Sequence, residues 1–255
     1  MTPTVRFIVN LDHIKIIIAF IVLIYVACVL DQYEWVSNQY LNTFIHTEML
    51  TNDESSFFEI LSAVAWVIAT YLFFNLLRKQ VKLEGLGKKA YWFAFYMLLS
   101  FFAFGEEISW GDHLFDYSHD LEIIKINAQK ETNLHNINLS NLLSLEKDGV
   151  MDAYLKNLGN LLTPLFYLVL AFFWVFLPAI KRWISGFSII NAMPSPSTGF
   201  MLFFVVHAIM FIFIDYALFN VGQVFEMFIS LATIAVALDI LKANAQAQAI
   251  ERENS

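Results

Sequence analysis

The chain has 255 residues, of which 58% are hydrophobic, 16% aromatic and 15% charged, and its net charge is −8. A soluble domain has about 25% charged residues, so this chain has too little polar surface to cover itself in water. No basic block is dense enough for nucleic acid to be a partner, and the single cysteine excludes an intrachain disulfide. The composition therefore predicts an integral membrane protein surrounded by membrane lipids.

Six apolar segments are candidates for membrane-spanning helices, each of which needs about 20 residues. They cover residues 14–30, 57–77, 90–105, 161–180, 199–219 and 221–241. The third segment is short unless its helix begins at Lys89 or continues past Glu106. The sequence thus predicts an all-α, polytopic fold, with a single membrane domain over residues 1–255 and six transmembrane helices.

The orientation follows from the distribution of Lys and Arg, which are enriched in cytoplasmic loops. The connection after the first span, residues 31–56, contains neither. Basic residues instead follow spans two, four and six: Arg78, Lys79, Lys82, Lys88, Lys89, Lys181, Arg182 and Lys242. Both termini are therefore predicted to be cytoplasmic, in a multi-pass protein of the inner (plasma) membrane.

The long connection at residues 106–160 is then extracytoplasmic. Acidic residues outnumber lysines in it, and apolar residues recur at roughly helical spacing, as at Leu139, Leu142 and Leu143. This pattern predicts an ordered, partly helical loop between spans three and four, with short amphipathic helices at the membrane surface.

Ionisable side chains are costly inside a bilayer, and in this chain most of them lie near the extracytoplasmic ends of the predicted spans. They are Glu59, Glu106, Glu107, His207, Asp215 and Glu226. Glu59 and Glu226 each begin a span, where a carboxylate favours the helix N-terminus, so a structural role is favoured for these two. His207 can equally bond Asp215, two turns away on the same face, or a backbone carbonyl.

The long loop adds histidines to this cluster. Glu106, Trp110 and His113 share one face if span three continues as a helix, and Glu131 and His135 share another. Converging carboxylates and imidazoles suit a divalent metal such as zinc, or a general acid–base pair. The candidate catalytic residues are Glu106 and Glu107, and the candidate metal ligands are His113, Glu131 and His135.

Two stretches of the chain resemble a known family. Residues 105–111 are GEEISWG and residues 127–136 are NAQKETNLHN. They are similar to the GEEISWGQ and NxQxETNLHN stretches of a family of uncharacterised bacterial multi-pass membrane proteins, although Asp112 stands where that family usually has Gln. The resemblance implies a bacterial inner-membrane protein but no activity. We include Gln129, Asn133 and Asn136 from the second stretch as supporting residues.

A more distant likeness is to the ceramidase-type intramembrane hydrolases, which hold zinc with histidines and acids near one membrane face. The paired histidines of their last span are missing from this chain. The likeness implies a hydrolase site opening towards one leaflet, without the full ligand set of those enzymes.

Three functions are compatible with these residues. The first is a metal-dependent membrane hydrolase or transferase acting on a lipid or lipid-linked substrate, with Glu107 as base or ligand and Trp110 as a wall. The second is a non-enzymatic subunit that binds other membrane subunits, in which the cluster is a fully paired buried network. The third is an ion or proton pathway, whose candidate residues are Glu59, His207, Asp215 and Glu226. It is disfavoured because the inner halves of the spans contain almost no polar residues that could relay an ion or a proton.

Overall fold

The computed structural model describes residues 57–111, 115, 121, 125–127, 132–134, 137, 162–181, 183–184, 186–217 and 222–253. Over this part of the chain the protein is mostly helical and contains no β-strand. An isolated antiparallel bridge joins Asn127 to Ile137. The described protein is therefore all-α, as the composition and hydropathy predict, and the first predicted span lies outside the described residues.

All helices except the short α5 overlap the last five apolar segments of the sequence. In chain order they are α1 (Phe57–Glu84), α2 (Lys88–Glu107), α3 (Leu162–Ala171), α4 (Leu177–Ile180), α5 (Ser188–Asn191), α6 (Thr198–Ala217) and α7 (Gly222–Glu253). Helix α2 extends beyond the predicted segment at both ends and reaches 20 residues. Helices α1 and α7 also continue past their apolar segments, because the polar residues that follow still favour helix.

Helix α1 is the one helix in the described part of the chain that is long and apolar enough to cross a membrane, over Glu59–Glu84. Shorter apolar helices cover Leu165–Ile180 and Thr198–Ile209. Apolar side chains such as Ile60 and Tyr71 on α1 are largely exposed. One candidate membrane-spanning helix is therefore present, by length and composition.

Helices α3 and α4 are joined without a break by a π-helical turn at Phe172–Phe176. The backbone N–H of Leu177 donates to the carbonyl of Phe172, five residues earlier. Pro178 follows directly, and its ring and missing N–H disfavour a regular α-helical bond to the preceding turn. The wider turn accommodates the proline and keeps the element continuous.

The described residues form two compact units. The first contains residues 57–61, 207–217 and 222–229, and within it the ring of His207 lies against Phe228 with centroids 3.7 Å apart. The second contains the remainder. Its core includes Phe73 against Tyr96 and Trp174 edge-on to Phe204, with centroids 5.3 and 5.8 Å apart.

The connection between α4 and α6, in the second unit, is held by side chains from α2 and α7. Trp92 Nε1 donates to the carbonyl of Ile189 at 2.7 Å. The Asp239 carboxylate accepts the backbone N–H of Ser197 at 2.6 Å, where negative charge complements the N-terminus of α6. These bonds hold the connection between α4 and α6 in a defined conformation. The connection lies at the end of α2 that carries Lys88.

Candidate functional site

Helix α2 ends at Glu107, and the chain then turns tightly through Ser109–Gly111. Ser109, Trp110 and Gly111 have φ values of 45°, 53° and 93°. The turn is closed by the Gly111 N–H, which donates to the Ile108 carbonyl at 2.8 Å. A regular continuation of span three towards His113 is therefore not formed over residues 109–111, because left-handed backbone ends a right-handed helix.

Although the helix does not continue, the turn brings Trp110 next to Glu106. Its indole Nε1 donates to Glu106 Oε1 at 2.6 Å. The ring lies so close to Gly105 that a Cβ at that position would be 2.8 Å from three ring atoms. The rings of Phe101 and Phe102 flank the indole, with centroids 6.5 and 5.7 Å from it. Gly105 is therefore the residue that leaves room for Trp110.

The second oxygen of the Glu106 carboxylate binds the long loop. Oε2 accepts the backbone N–H of Leu134 at 2.7 Å, and the glutamate is only 8% exposed. Hydrogen bonds to an ionised acceptor are shorter and stronger than those between neutral groups. Glu106 thus joins the end of α2, the Trp110 turn and the second polar stretch of the sequence.

Ser109 also connects the two stretches by hydrogen bonds. Thr132 Oγ1 donates to the Ser109 carbonyl, and Asn133 Nδ2 donates to Ser109 Oγ at 3.2 Å. Asn127 Nδ2 in turn donates to the backbone carbonyl and side-chain oxygen of Asn133, at 2.7 and 2.9 Å. All four residues are buried. Of these four residues, only Asn133 was predicted from the sequence. Ser109, Thr132 and Asn127 could have been found from their places in residues 105–111 and 127–136, the two stretches that resemble a known family.

Glu107 faces α1 and has different partners from Glu106. Its Oε1 accepts the Ser62 hydroxyl at 2.8 Å and the indole N–H of Trp66 at 3.3 Å. Ser62 and Trp66 are four residues apart and so share a face of α1. Trp66 is buried and edge-on to Phe166, with centroids 6.0 Å apart. The adjacent glutamates diverge as expected from the roughly 100° between neighbouring helical residues.

The other ionisable residues predicted for the site lie on α1, α6 and α7. Glu59 is half-buried in the first turn of α1, His207 is buried in α6 and Glu226 is half-buried in α7, while Asp215 lies in α6 near its C-terminal end. Among the described side chains, no three His, Cys, Asp or Glu residues are placed to hold a metal. The remaining candidates lie outside the described residues: His113, Gln129, Glu131, His135 and Asn136. A zinc site therefore stays a prediction.

An apolar groove of about 360 Å³ runs between α1 and α2. Its walls are Val67, Thr70, Tyr71, Phe74, Met97, Phe101 and Phe104. The Thr70 hydroxyl donates to the Trp66 carbonyl in its own helix, so its hydrogen bond stays within α1. Since Phe101 also flanks Trp110, the groove adjoins the turn that carries the polar cluster. Its largely apolar walls would favour the binding of a hydrocarbon chain.

Comparison of the chain with protein-family models, curated proteins and solved structures finds no match in any of the three.

Proposed function

We propose that the chain is a six-span protein of the bacterial inner membrane, with cytoplasmic termini and an extracytoplasmic loop over residues 106–160. Two observations support this. Helix α1 is long and apolar enough to cross a bilayer. Helix α2 has 20 residues and so separates Lys88 from Glu107 by about 30 Å, close to the thickness of the hydrocarbon core.

This topology is tested with reporter fusions. A reporter active only in the cytoplasm should be active when fused after Lys89 or Ser255 and silent after Ser140, because Lys and Arg are retained on the cytoplasmic side. Activity after Ser140 together with silence after Lys89 would reverse the orientation and place the glutamate cluster on the cytoplasmic side.

Within this architecture we infer a non-enzymatic role, as a structural subunit that presents an ordered extracytoplasmic loop to other membrane subunits. The observation that carries this is the pairing of the two glutamates with protein donors. Glu106 binds Trp110 and Leu134, and Glu107 binds Ser62 and Trp66. Glu106 is buried and Glu107 is half-buried, and carboxylates paired in this way hold one arrangement of the chain, which is a structural role.

A metal-dependent hydrolase or transferase is the second candidate, and two observations favour it. Glu106 binds the second stretch at Leu134, and His135 is the next residue in the sequence. The apolar groove beside Trp110 would accommodate the tail of a lipid or lipid-linked substrate. Glu107 would then orient a water or a ligand, and a bound zinc would polarise the bond to be broken. The ligands would be His113, Glu131 and His135.

The two candidates are separated by elemental analysis of the purified full-length protein. For the structural subunit we expect no stoichiometric divalent metal in wild-type protein. Glu107→Gln should lower the free energy of unfolding by about 1.5–3 kcal/mol through weakened bonds to Ser62 and Trp66. Glu84→Gln is the matched control, because Glu84 is exposed at the end of α1. One zinc per chain that is lost in a folded His135→Ala variant would instead establish the enzyme.

A further inference from the structure

The turn at Ser109–Gly111 has a backbone conformation that its sequence does not favour. Three successive residues have positive φ, and two of them, Ser109 and Trp110, are not glycine. Left-handed backbone is unfavourable for L-residues with a side chain, and a bulky aromatic residue rarely adopts it. Strained backbone of this kind persists only where the surrounding structure holds it.

The groups that hold the turn come from three consecutive residues of the loop. Thr132 donates to the Ser109 carbonyl, Asn133 donates to Ser109 Oγ, and the Leu134 N–H donates to Glu106. Ser109 is 1% exposed and Asn133 is 3% exposed, so the bonds that Thr132 and Asn133 make to Ser109 are sheltered from competing water. The strain is local to the turn, whereas the bonds that compensate it come from residues more than 20 positions later in the chain.

The conformation of the turn also decides where Trp110 lies. In the turn, the indole rests on Gly105 and contacts the ring of Phe101, which lines the apolar groove. A right-handed backbone at residues 109–110 would carry the indole away from Gly105, because side-chain direction follows φ and ψ. The backbone of Gly105 and the Phe101 side of the groove would then be uncovered.

We propose that residues 132–134 form a latch for this turn. With the latch bound, the turn is left-handed and Trp110 covers Gly105. With the latch released, the turn relaxes towards right-handed backbone and Trp110 moves away from Gly105 and Phe101. A ligand or partner that displaces the latch therefore moves Trp110, and by thermodynamic linkage a ligand that displaces Trp110 weakens the latch. The inference depends on the geometry of the turn and applies to either candidate function.

The first test follows Trp110 by ¹⁹F NMR of the full-length protein labelled with 5-fluorotryptophan in detergent micelles. The chain has six tryptophans, and Trp110→Phe identifies the resonance of Trp110. Thr132→Val preserves the shape of the side chain but removes the donor to Ser109. We expect a second Trp110 resonance in this variant, with the Trp174 resonance unchanged. Thr70→Val is the matched control, because that hydroxyl bonds within α1.

The second test changes the turn without touching the latch. Gly111 has a φ of 93°, so Gly111→Ala adds further strain to the left-handed turn. It should raise the released population by about 5- to 30-fold, since left-handed backbone costs a non-glycine residue about 1–2 kcal/mol. Hydrogen exchange at the Leu134 amide, which is bonded to Glu106, should accelerate by the same factor.

If residues 132–134 instead hold the turn rigidly in a single conformation, both tests give different results. In that case Trp110 keeps one unshifted resonance in both variants, or all six tryptophan resonances change together as the protein unfolds. Unaltered exchange at Leu134 in a folded Gly111→Ala protein would also overturn the latch.

Discussion

Replacing Glu106 with alanine is expected to lower the free energy of unfolding by about 2–4 kcal/mol. The substitution leaves the indole N–H of Trp110 and the backbone N–H of Leu134 without the carboxylate that they share, Glu106, which is 8% exposed. Trp110 and Leu134 are themselves 38% and 37% exposed, so water replaces part of the lost bonding and the loss stays below the sum for two fully buried bonds. Each lost charge-assisted bond contributes roughly 1.5–3 kcal/mol. In a chain of this size the midpoint of thermal unfolding in detergent should fall by roughly 10 °C.

Two further variants test whether the lost hydrogen bonds cause the lower stability of Glu106→Ala. Glu84→Ala removes an exposed glutamate from the end of α1 and should change stability by no more than about 0.5 kcal/mol. Glu106→Gln keeps one acceptor oxygen but turns an amide nitrogen towards a donor, so its loss should be intermediate. A Glu106→Ala protein as stable as the wild type would mean that Glu106 does not join the loop to α2.

Trp66→Ala should have an effect of similar size, about 3–5 kcal/mol. Trp66 is 2% exposed, packs edge-on to Phe166 and donates to Glu107. Truncating a buried indole leaves a cavity that the surrounding side chains only partly fill, so both its packing contacts and its hydrogen bond are lost. Denaturant titration of the purified protein in micelles measures the loss.

The contribution of packing is separated from that of the hydrogen bond by two controls. Trp66→Phe fills most of the cavity but lacks the N–H donor, so we expect it to recover more than half of the loss. Tyr71→Ala removes an aromatic ring from the same helix at a position that is 63% exposed, and should cost about 1 kcal/mol or less. If Tyr71→Ala destabilises as much as Trp66→Ala, burial of Trp66 is not the cause.

The helical elements could be predicted from hydropathy because a long apolar run in this composition has few alternatives to a helix. The run from residue 57 begins α1, and the runs from 199 and 221 become α6 and α7 to within one residue at their starts. Helix ends were less accurate: α7 continues to Glu253, since Ala- and Gln-rich polar sequence also forms helix. Hydropathy detects burial in an apolar medium and is insensitive to where a polar helix ends.

The adjacent glutamates could be selected from the sequence, because two carboxylates at the end of an apolar run are costly there. Their divergence is explained by helical geometry, because neighbouring side chains on a helix point about 100° apart. The way in which Trp110 reaches Glu106 could not be predicted, because left-handed backbone at Ser109 replaces the expected continuation of the helix. A left-handed serine followed by a left-handed tryptophan opposes local preference, so local sequence could not predict it.

The partners of the two carboxylates were decided by tertiary structure alone. Glu107 binds Ser62 and Trp66, more than 40 positions earlier in the chain, and Glu106 binds Leu134, 28 positions later. Periodicity within one element specifies which residues share a face, but not which face of another helix or which backbone amide comes to meet it. Hydropathy and residue chemistry were enough to predict the long helices and the polar residues at the end of α2. Only packing between distant segments determined that these residues pair with one another, because each bond requires two parts of the chain to be brought together.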